Sequence, residues 1–288
     1  MAIAFDRVEK PLRQLRRSLK SLSANPAPEA VHKLRTRARQ VEAIAAALPP
    51  TSEKLARRLL KSIKSVRKAA GRVRDMDVLA AHTRTLPQEP HSEALTLLLE
   101  QLESSRKTHA AALIDTLEVQ RKPGREHLKQ YASQLEKRKS STALEREVEE
   151  KVNAAAAHLS AELSRWPALT ARNLHAFRLK VKELRAVLQL LLSSDQALVN
   201  DLGVVKEKIG EWHDWLQLAK AAAEALDAKQ HRALLAAIKQ TGQRKLAEAL
   251  TASTALRQHH LERPAKKPPV SERRPAGATI KARRTPAA

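Results

Sequence analysis

Two stretches of the chain place a histidine ahead of cations spaced three and four residues apart. The side chains concerned are His32, Arg35 and Arg39 in the first stretch and His175, Arg178, Lys182 and Arg185 in the second. On an α-helix, which turns about 100° per residue, each set occupies one arc of the surface. Cations held that closely can bind neighbouring oxygens of one polyanion, and arginine can donate two hydrogen bonds to a single phosphate. The spacing therefore predicts a polyanion-binding surface on two helices.

A third cationic stripe contains no histidine. Its members share one face of a predicted helix and are Arg57, Lys61, Lys64 and Lys68. Like charges at this spacing cost a few tenths of a kcal/mol per pair, so a helix that gathers several of them is suited to an external anion. The helix that begins near Gln196 has no such stripe. We therefore expect a groove formed by the second and third helices and the His175 helix.

The composition favours a helical, strongly basic protein. Lys and Arg total 54 against 31 Asp and Glu, which gives a net charge of +23, and aromatic residues make up only 2%. Strands draw on aromatic and β-branched residues, and base-stacking nucleic-acid modules need aromatic platforms, so both are disfavoured. The lack of cysteine excludes disulfides and Cys-ligated zinc. No run approaches 18 consecutive apolar residues, so we expect a cytoplasmic protein without membrane insertion.

The two histidine stretches belong to an internal repeat. The text VHKLRTRARQVEAI begins at Val31, and the similar text LHAFRLKVKELRAV begins at Leu174. A second pair of related segments, residues 71–75 and 210–214, recurs at nearly the same offset. Two pairs of similar segments that occur in the same order at nearly the same offset predict a duplicated unit and a pseudo-symmetric fold.

Proline and glycine residues interrupt the sequence that is predicted to be helical. Asn25 is a candidate cap for the second helix, and Thr51 or Ser52 is a candidate cap for the third. Pro123 and the glycine that follows it predict a break in the helix that begins near residue 91. The last three helices are predicted over about 170–192, 196–226 and 229–260 by their apolar spacing.

The end of the chain changes character at residue 262. From there the sequence is Pro, Lys, Arg and Ala without an apolar period, which predicts a disordered basic tail over 262–288. We therefore predict one helical domain over 1–261, made of two repeats at about 1–166 and 167–261.

The histidine and arginine positions resemble the CHAD family, the conserved histidine α-helical domain. The family pattern is matched in both halves by the two histidine stretches, and residues 71–78 are similar to the family text after the third helix. The resemblance covers roughly residues 5–260 and implies an all-α fold of two antiparallel four-helix bundles related by a pseudo-two-fold axis. It also implies binding of inorganic polyphosphate in a basic central groove, and association with polyphosphate granules in the cytoplasm. Gln40 and Glu42 depart from the family, which often has arginine there.

The two histidines add an expected pH dependence. A bound phosphate raises the pKa of a neighbouring imidazole by charge attraction, so binding at His32 and His175 is expected to tighten as the pH falls from 7 to 6.

None of the remaining motifs indicates a catalytic site. Residues 147–151 have the Glu-x-Glu-x-Lys form that resembles the CYTH triphosphatase family, but the surrounding spacing is helical, which would point Glu147 and Glu149 about 160° apart. Asp75 and Asp77 could ligate magnesium, although a role at a helix end beside neighbouring arginines is favoured. We therefore expect a non-catalytic binding module with no metal and no cofactor.

Two other hypotheses stay open. The basic surface and tail are also typical of proteins that bind nucleic acid without sequence preference, and tail residues such as Lys266, Lys267, Arg273 and Arg274 would contact the phosphate backbone. The long helices could instead bury their apolar faces against a second copy, and the sequence predicts no oligomeric state.

Overall fold

A computed structural model describes residues 5–48, 50–138, 142–189 and 195–261. Within these ranges the chain forms eight α-helices and a π-helical turn, without a strand, which confirms the all-α prediction. The helices are α1 (Phe5–Ser21), α2 (Pro28–Ala47), α3 (Glu53–Arg84), α4 (Ser92–Arg138), α5 (Thr142–Ser164), α6 (Leu174–Leu188), α7 (Gln196–Ala225) and α8 (Arg232–Leu256), followed by the turn Arg257–Leu261. None of these helices combines the length and apolar character needed to cross a membrane. The predicted tail lies outside the described residues, and the division into a domain over 1–261 stays a prediction.

Helix starts follow local capping chemistry. The Ser52 side chain accepts a hydrogen bond from the Leu55 N–H at 3.4 Å, so one of the two candidate caps of α3 is used. The prediction of Asn25 as a cap is wrong: α2 begins at Pro28 with Ala27 at the N-cap position and no side-chain bond. Proline suits this first turn because it has no backbone N–H, and an N–H there would have no acceptor within the helix.

The predicted break at Pro123 is wrong, because α4 runs through it to Arg138. A proline inside a helix costs about 3 kcal/mol. Leu117, Leu128 and Tyr131 on either side of it are fully buried, and each such side chain stabilises the fold by about 2 kcal/mol. Gly124 lies against α1 at an ordinary distance, because a Cβ added to it would be 3.5 Å from Leu19 Cδ1.

Of the last three helices, α7 matches its predicted bounds, whereas α6 and α8 begin later than predicted. The helix expected from about residue 170 begins at Leu174, because residues 170–173 form a turn in which Asn173 donates to the Ala168 carbonyl at 2.9 Å. The helix expected from about residue 229 begins at Arg232, after a turn closed by the Asp227 carboxylate, which accepts the Lys229 and Gln230 N–H groups.

The helices pack as two groups of four with matching partners. In the first group α3 packs along α2 and α4, and α1 packs against α2 and α4. In the second group α7 packs along α6 and α8, and α5 packs against α6 and the π-helical turn that follows α8. This correspondence fits the pseudo-symmetric pair of bundles expected from the repeat. The bundles meet mainly where α3 contacts α7 and where α2 contacts α6.

Two apolar clusters hold the bundles together. The larger one runs through both groups of helices and contains the fully buried Tyr131 and Phe177. The smaller one, the tip cluster, contains Leu79, Leu86, Ala94, Leu95, Leu98 and Leu102 from the α3–α4 hairpin and Trp215, Leu218, Ala222, Leu226, Leu234 and Ile238 from the α7–α8 hairpin. Because each cluster takes side chains from both bundles, burial of apolar surface sets the position of α2 relative to α6.

Candidate functional site

Five cations from both bundles lie close together between α2 and α6. We call Arg35, Arg39, Arg67, Arg178 and Lys182 the cationic cluster, because the charges of the other four all act on Lys182. Arg35 and Arg39 come from α2, Arg67 from α3, and Arg178 and Lys182 from α6. Four of the five were predicted as site residues from the two histidine stretches, and the packing of α2 on α6 brings those two stretches together.

Burial and the crowding of like charges disfavour the protonated form of cations in the cluster. Burial, followed by repulsion from Arg39 and the other arginines, lowers the pKa of Lys182 to about 7. Burial, followed by repulsion from Arg35 and Arg67, lowers the pKa of Arg39 to about 10. Like charges partly withdrawn from water raise the free energy of the folded protein unless a counter-charge joins them. The cluster is therefore built to be stabilised by an anion.

Glycines on α3 and α7 let the arginines of α2 and α6 lie against the helix backbone. A Cβ added to Gly71 would lie 3.5 Å from Arg35 Nε, and one added to Gly210 would lie 2.8 Å from a terminal nitrogen of Arg178. Arg178 Nε also donates to the Lys206 carbonyl at 3.0 Å. The two arginines thus occupy matching places in the two bundles, over the glycines that the repeat had paired.

Arg185 follows the same pattern one turn further along α6. Its Nε donates to the Val199 carbonyl at 3.2 Å, and a Cβ added to Gly203 would lie 3.3 Å from it. The matching position in α2 is Glu42, whose Oε2 lies 2.6 Å from Arg67 Nε. Arg185 is therefore directed at α7 rather than into the cationic cluster.

The two predicted histidines are exposed and lie beside the cluster. Partial burial, then the charges of Arg74 and Arg35, lowers the pKa of His32. Partial burial, then the charges of His213 and Arg178, lowers the pKa of His175. The rings of His175 and His213 have centroids 4.9 Å apart. A bound anion would act against these lowered values, and the expected tightening of binding toward pH 6 stays a prediction.

Two carboxylates face the cations. Asp75 Oδ1 lies 4.0 Å from a terminal nitrogen of Arg35, and the charge of Asp214 acts on Arg178. Burial, aided by the charge of Asp214, raises the pKa of Asp75 although Arg35 opposes this. The favoured helix-end role for Asp75 is wrong, because α3 continues to Arg84 and Asp75 lies at the groove.

The sequence of the chain matches the family model of the CHAD domain over residues 6–223. The chain belongs to the CHAD domain family. The crystal structure of the CHAD domain from the plant Ricinus communis is similar, with a TM-score of 0.60 over 90% of this chain and 92% of that one. The identity is 19%, so this likeness concerns the fold. The comparison with curated proteins finds no match.

The CHAD match includes both histidine stretches and the glycines that position their arginines. It confirms the family resemblance on which the prediction of a two-bundle helical fold was based.

The third predicted stripe of this CHAD domain lies outside the cationic cluster. Its four members are exposed, and Arg57 forms an ion pair with Glu53 at 3.1 Å. Lys61, Lys64 and Lys68 make no ion pair with a carboxylate in the described part of the chain. On α3, Lys64 projects about 20° from the direction of Gly71, which meets Arg35, so the stripe continues from the groove along α3.

Four groove residues were missed by sequence reasoning as contributors to the site. They are Arg67 and Arg74 of α3 and His213 and Asp214 of α7. The repeat contained a signal for three of them, because Arg74, His213 and Asp214 lie within the paired segments 71–75 and 210–214. Conversely, Arg37 and Lys180 also match in the repeat but point away from the groove, Arg37 to Ser18 and Lys180 to Glu162.

Asp77 is structural rather than part of the groove. Its side chain is 4% exposed, and its Oδ1 accepts a hydrogen bond from Arg106 Nε at 2.6 Å. A terminal nitrogen of Arg106 also donates to the Pro26 carbonyl at 2.8 Å. The pair thus ties α3, α4 and the segment before α2 together. Among the described residues, no three groups that could ligate a metal lie together.

The residues 147–151 lie on α5, where helical spacing was expected. A strand would be needed to direct alternate side chains of a Glu-x-Glu-x-Lys motif to one face.

The cationic cluster borders an open cleft of about 790 Å³ between α2 and α6. Arg39, Arg67 and Lys182 line it together with Glu42 and Glu183. The cleft gives an extended ligand access to the cations from one side of the α2–α6 contact.

Proposed function

We propose that this CHAD domain binds inorganic polyphosphate in the groove between α2 and α6, without catalysing a reaction on it. The cationic cluster carries the proposal, because five cations crowd together and the lowered pKa values of Lys182 and Arg39 reflect a repulsion that a polyanionic counter-charge would relieve. The CHAD family is associated with polyphosphate binding in general, which supports the same ligand.

The arginines over the glycines provide the first contacts. Arg35 and Arg178 are held at helix backbones before any ligand arrives, so less side-chain entropy is lost when each donates hydrogen bonds to a phosphate. Arg39, Arg67 and Lys182 add charge between them, and release of condensed counter-ions drives association. A longer chain of phosphates would continue along the exposed lysines of α3.

Polyphosphate fits the groove because recognition there depends on charge. A phosphate polymer presents oxygens without bases, so a surface of guanidinium, ammonium and imidazole groups suffices to bind it. We assign no catalytic role, because the groove combines cations with two carboxylates that face them, Asp75 and Asp214, and shows no nucleophile paired with a base among the described residues. We further propose that this binding places the protein at cytoplasmic polyphosphate granules.

The test is binding of long-chain polyphosphate near 150 mM salt, with excess duplex DNA as competitor. The full chain and a chain ending at residue 261 are compared, each as wild type and as Arg35→Ala/Arg39→Ala/Arg178→Ala. We expect the triple variant to lose about 100-fold or more in affinity, since charge-assisted hydrogen bonds contribute about 1.5–3 kcal/mol each.

A matched control removes three exposed cations outside the groove. The variant Arg84→Ala/Lys129→Ala/Lys239→Ala has the same net charge as the triple variant and should bind within about threefold of wild type. Equal losses in the two variants, or displacement of polyphosphate by the DNA, would reject the groove and favour general binding of nucleic acid through the basic surface and tail.

A further inference from the structure

Matching positions in the two halves of the groove hold different kinds of cation. The repeat pairs Arg39 of α2 with Lys182 of α6, and it pairs Arg74 of α3 with His213 of α7. In both pairs the first half has a guanidinium, which stays charged in proteins, and the second half has a group that can lose its proton. Arg35 and Arg178, by contrast, are the same in both halves.

The structure places these pairs in equivalent surroundings. Arg74 acts on His32, and His213 lies against His175 with ring centroids 4.9 Å apart. Arg39 and Lys182 both lie within reach of the charges of Arg35, Arg67 and Arg178. In each pair, the arginine of the first half and the weaker base of the second half therefore occupy equivalent places in the groove.

The arginines around Lys182 oppose its charge, while Glu42 of α2 and Glu183 of its own helix line the same cleft. Arg35 and Arg39 face it from α2, Arg67 from α3, and Arg178 from its own helix. Burial and these four arginines lower the pKa of Lys182 to about 7, so the ammonium is only half populated at neutral pH before a ligand binds.

The neighbours of His213 are mixed in sign. His175 faces it from α6, Asp75 acts on it from α3, and Asp214 follows it on α7 with Oδ1 3.8 Å from His213 Nδ1. Histidine is the side-chain type that changes charge between pH 5 and 8.

We propose that the groove joins a half formed by α2 and α3, whose arginines stay charged, to a proton-gated half, formed by α6 and α7, which binds polyphosphate fully only when Lys182 is protonated. This inference rests on the proposed function of the same groove. The α2–α3 half binds polyphosphate at any pH between 6 and 8. A lower pH adds the contacts made by the α6–α7 half.

The direction of the pH dependence of affinity follows from the linkage between proton binding and polyphosphate binding. Bound polyphosphate raises the pKa of Lys182, so above pH 7 binding must first load a proton onto this group. Affinity then falls as the pH rises, by up to about tenfold per pH unit for one group. Below pH 7 the proton on Lys182 is already present, and the remaining change comes from the imidazoles.

The test measures polyphosphate affinity of the full chain at pH 6, 7 and 8 at constant ionic strength. For wild type we expect a fall of about tenfold or more between pH 6 and pH 8. Lys182→Arg/His213→Arg is expected to bind at pH 8 within about threefold of its own affinity at pH 7, while His32 and His175 still tighten binding below pH 7. The mirror variant Arg39→Lys/Arg74→His is expected to have a steeper fall than wild type.

A control variant makes the same exchanges outside the groove. Lys239→Arg/His259→Arg changes two exposed side chains and should retain the wild-type pH dependence. If Lys182→Arg/His213→Arg keeps the wild-type fall, the proton-gated half is rejected while polyphosphate binding stands. Failure of wild type to bind at pH 6 would reject the proposed function itself.

A second measurement needs no variant. Binding enthalpies of wild type at pH 8, measured in two buffers with different heats of ionisation, give the number of protons taken up on binding. We expect about one proton per chain, because a pKa near 7 leaves Lys182 mostly neutral at this pH until polyphosphate binds. Uptake of no proton would overturn the inference.

Discussion

The guanidinium of Arg178 lies so close to Gly210 that a Cβ on that residue would come within 2.8 Å of a terminal nitrogen. In the first bundle Arg35 and Gly71 have the same relationship at the looser distance of 3.5 Å. Both glycines are buried inside helices without a positive φ, so neither is required by its own backbone conformation. At Gly210 the missing Cβ leaves space that Arg178 of the neighbouring helix occupies, whereas Arg35 lies at an ordinary contact distance over Gly71.

Replacing Gly210 by alanine is therefore expected to move Arg178 and weaken polyphosphate binding by about tenfold, the value of one impaired charge-assisted contact. Gly71→Ala should have a smaller effect, because 3.5 Å is an ordinary contact distance. Alanine favours a helix over glycine by about 1 kcal/mol, so thermal unfolding should show no large loss of stability. Unchanged affinity in Gly210→Ala would show that Arg178 does not depend on this space.

A pH-dependent stability is expected from Lys182 in the absence of ligand. The folded-state pKa of about 7 lies below the ordinary value for lysine, so between about pH 7 and pH 10 the unfolded chain holds a proton that the folded chain has lost. Protons bound preferentially by the unfolded chain make stability rise with pH over this window. Below pH 7 the burial of the charged Lys182 lowers the free energy of unfolding by its full amount.

The comparison of wild type with Lys182→Gln isolates this contribution. Thermal unfolding should find the variant more stable than wild type at pH 7, and the difference should shrink by pH 9.5. Lys239→Gln, which changes an exposed lysine of α8, should show no such convergence. A constant difference between wild type and Lys182→Gln at both pH values would contradict the lowered pKa.

Neutralising a groove carboxylate is expected to tighten binding. Asp214 acts on Arg178 and on Asp75, so a polyanion entering the groove is repelled by it. We expect Asp214→Asn to bind polyphosphate about three- to tenfold more tightly in 150 mM salt, with a smaller gain in 500 mM salt. Asp115→Asn, an exposed position on α4, serves as the control of equal charge change. Equal gains in the two variants would assign the effect to net charge.

The Asp77–Arg106 pair gives a prediction about stability alone. Removing one partner leaves a buried charge without its counter-charge, which typically costs about 3 kcal/mol or more. Arg106→Met should therefore lower the free energy of unfolding in denaturant by about that amount, and Asp77→Asn/Arg106→Met should lower it less. The part of each variant that remains folded should bind polyphosphate as wild type does. A double variant as unstable as the sum of both single variants would argue against coupling.

The helices and their inward faces could be predicted because burial follows a local period. The apolar residues that recur at helical spacing along α3, among them Leu59, Ile63 and Val66, are buried. The shared arc of Arg35 and Arg39 was equally visible, since it depends only on helical geometry.

Other features depend on which helices pack together, and local spacing does not contain that information. Pro123 was interpreted by its local effect, whereas the burial of Leu128 and Tyr131 by other helices decides the outcome. Arg67 was passed over in favour of the exposed lysines of α3, because its place in the groove arises from the approach of α2 and α6. The glycine beneath Arg178 has meaning only once α7 lies next to α6.

The tip cluster has a consequence for the history of the duplicated unit. Leu79 and Leu98 come from one copy, Trp215 and Leu218 come from the other, and the Trp215 ring lies against His82 with centroids 5.1 Å apart. Separating the copies would expose apolar side chains on both, so neither is expected to fold by itself once they share this cluster. Selection can then act on the two halves of the groove independently, while the shared cluster prevents either half from being deleted.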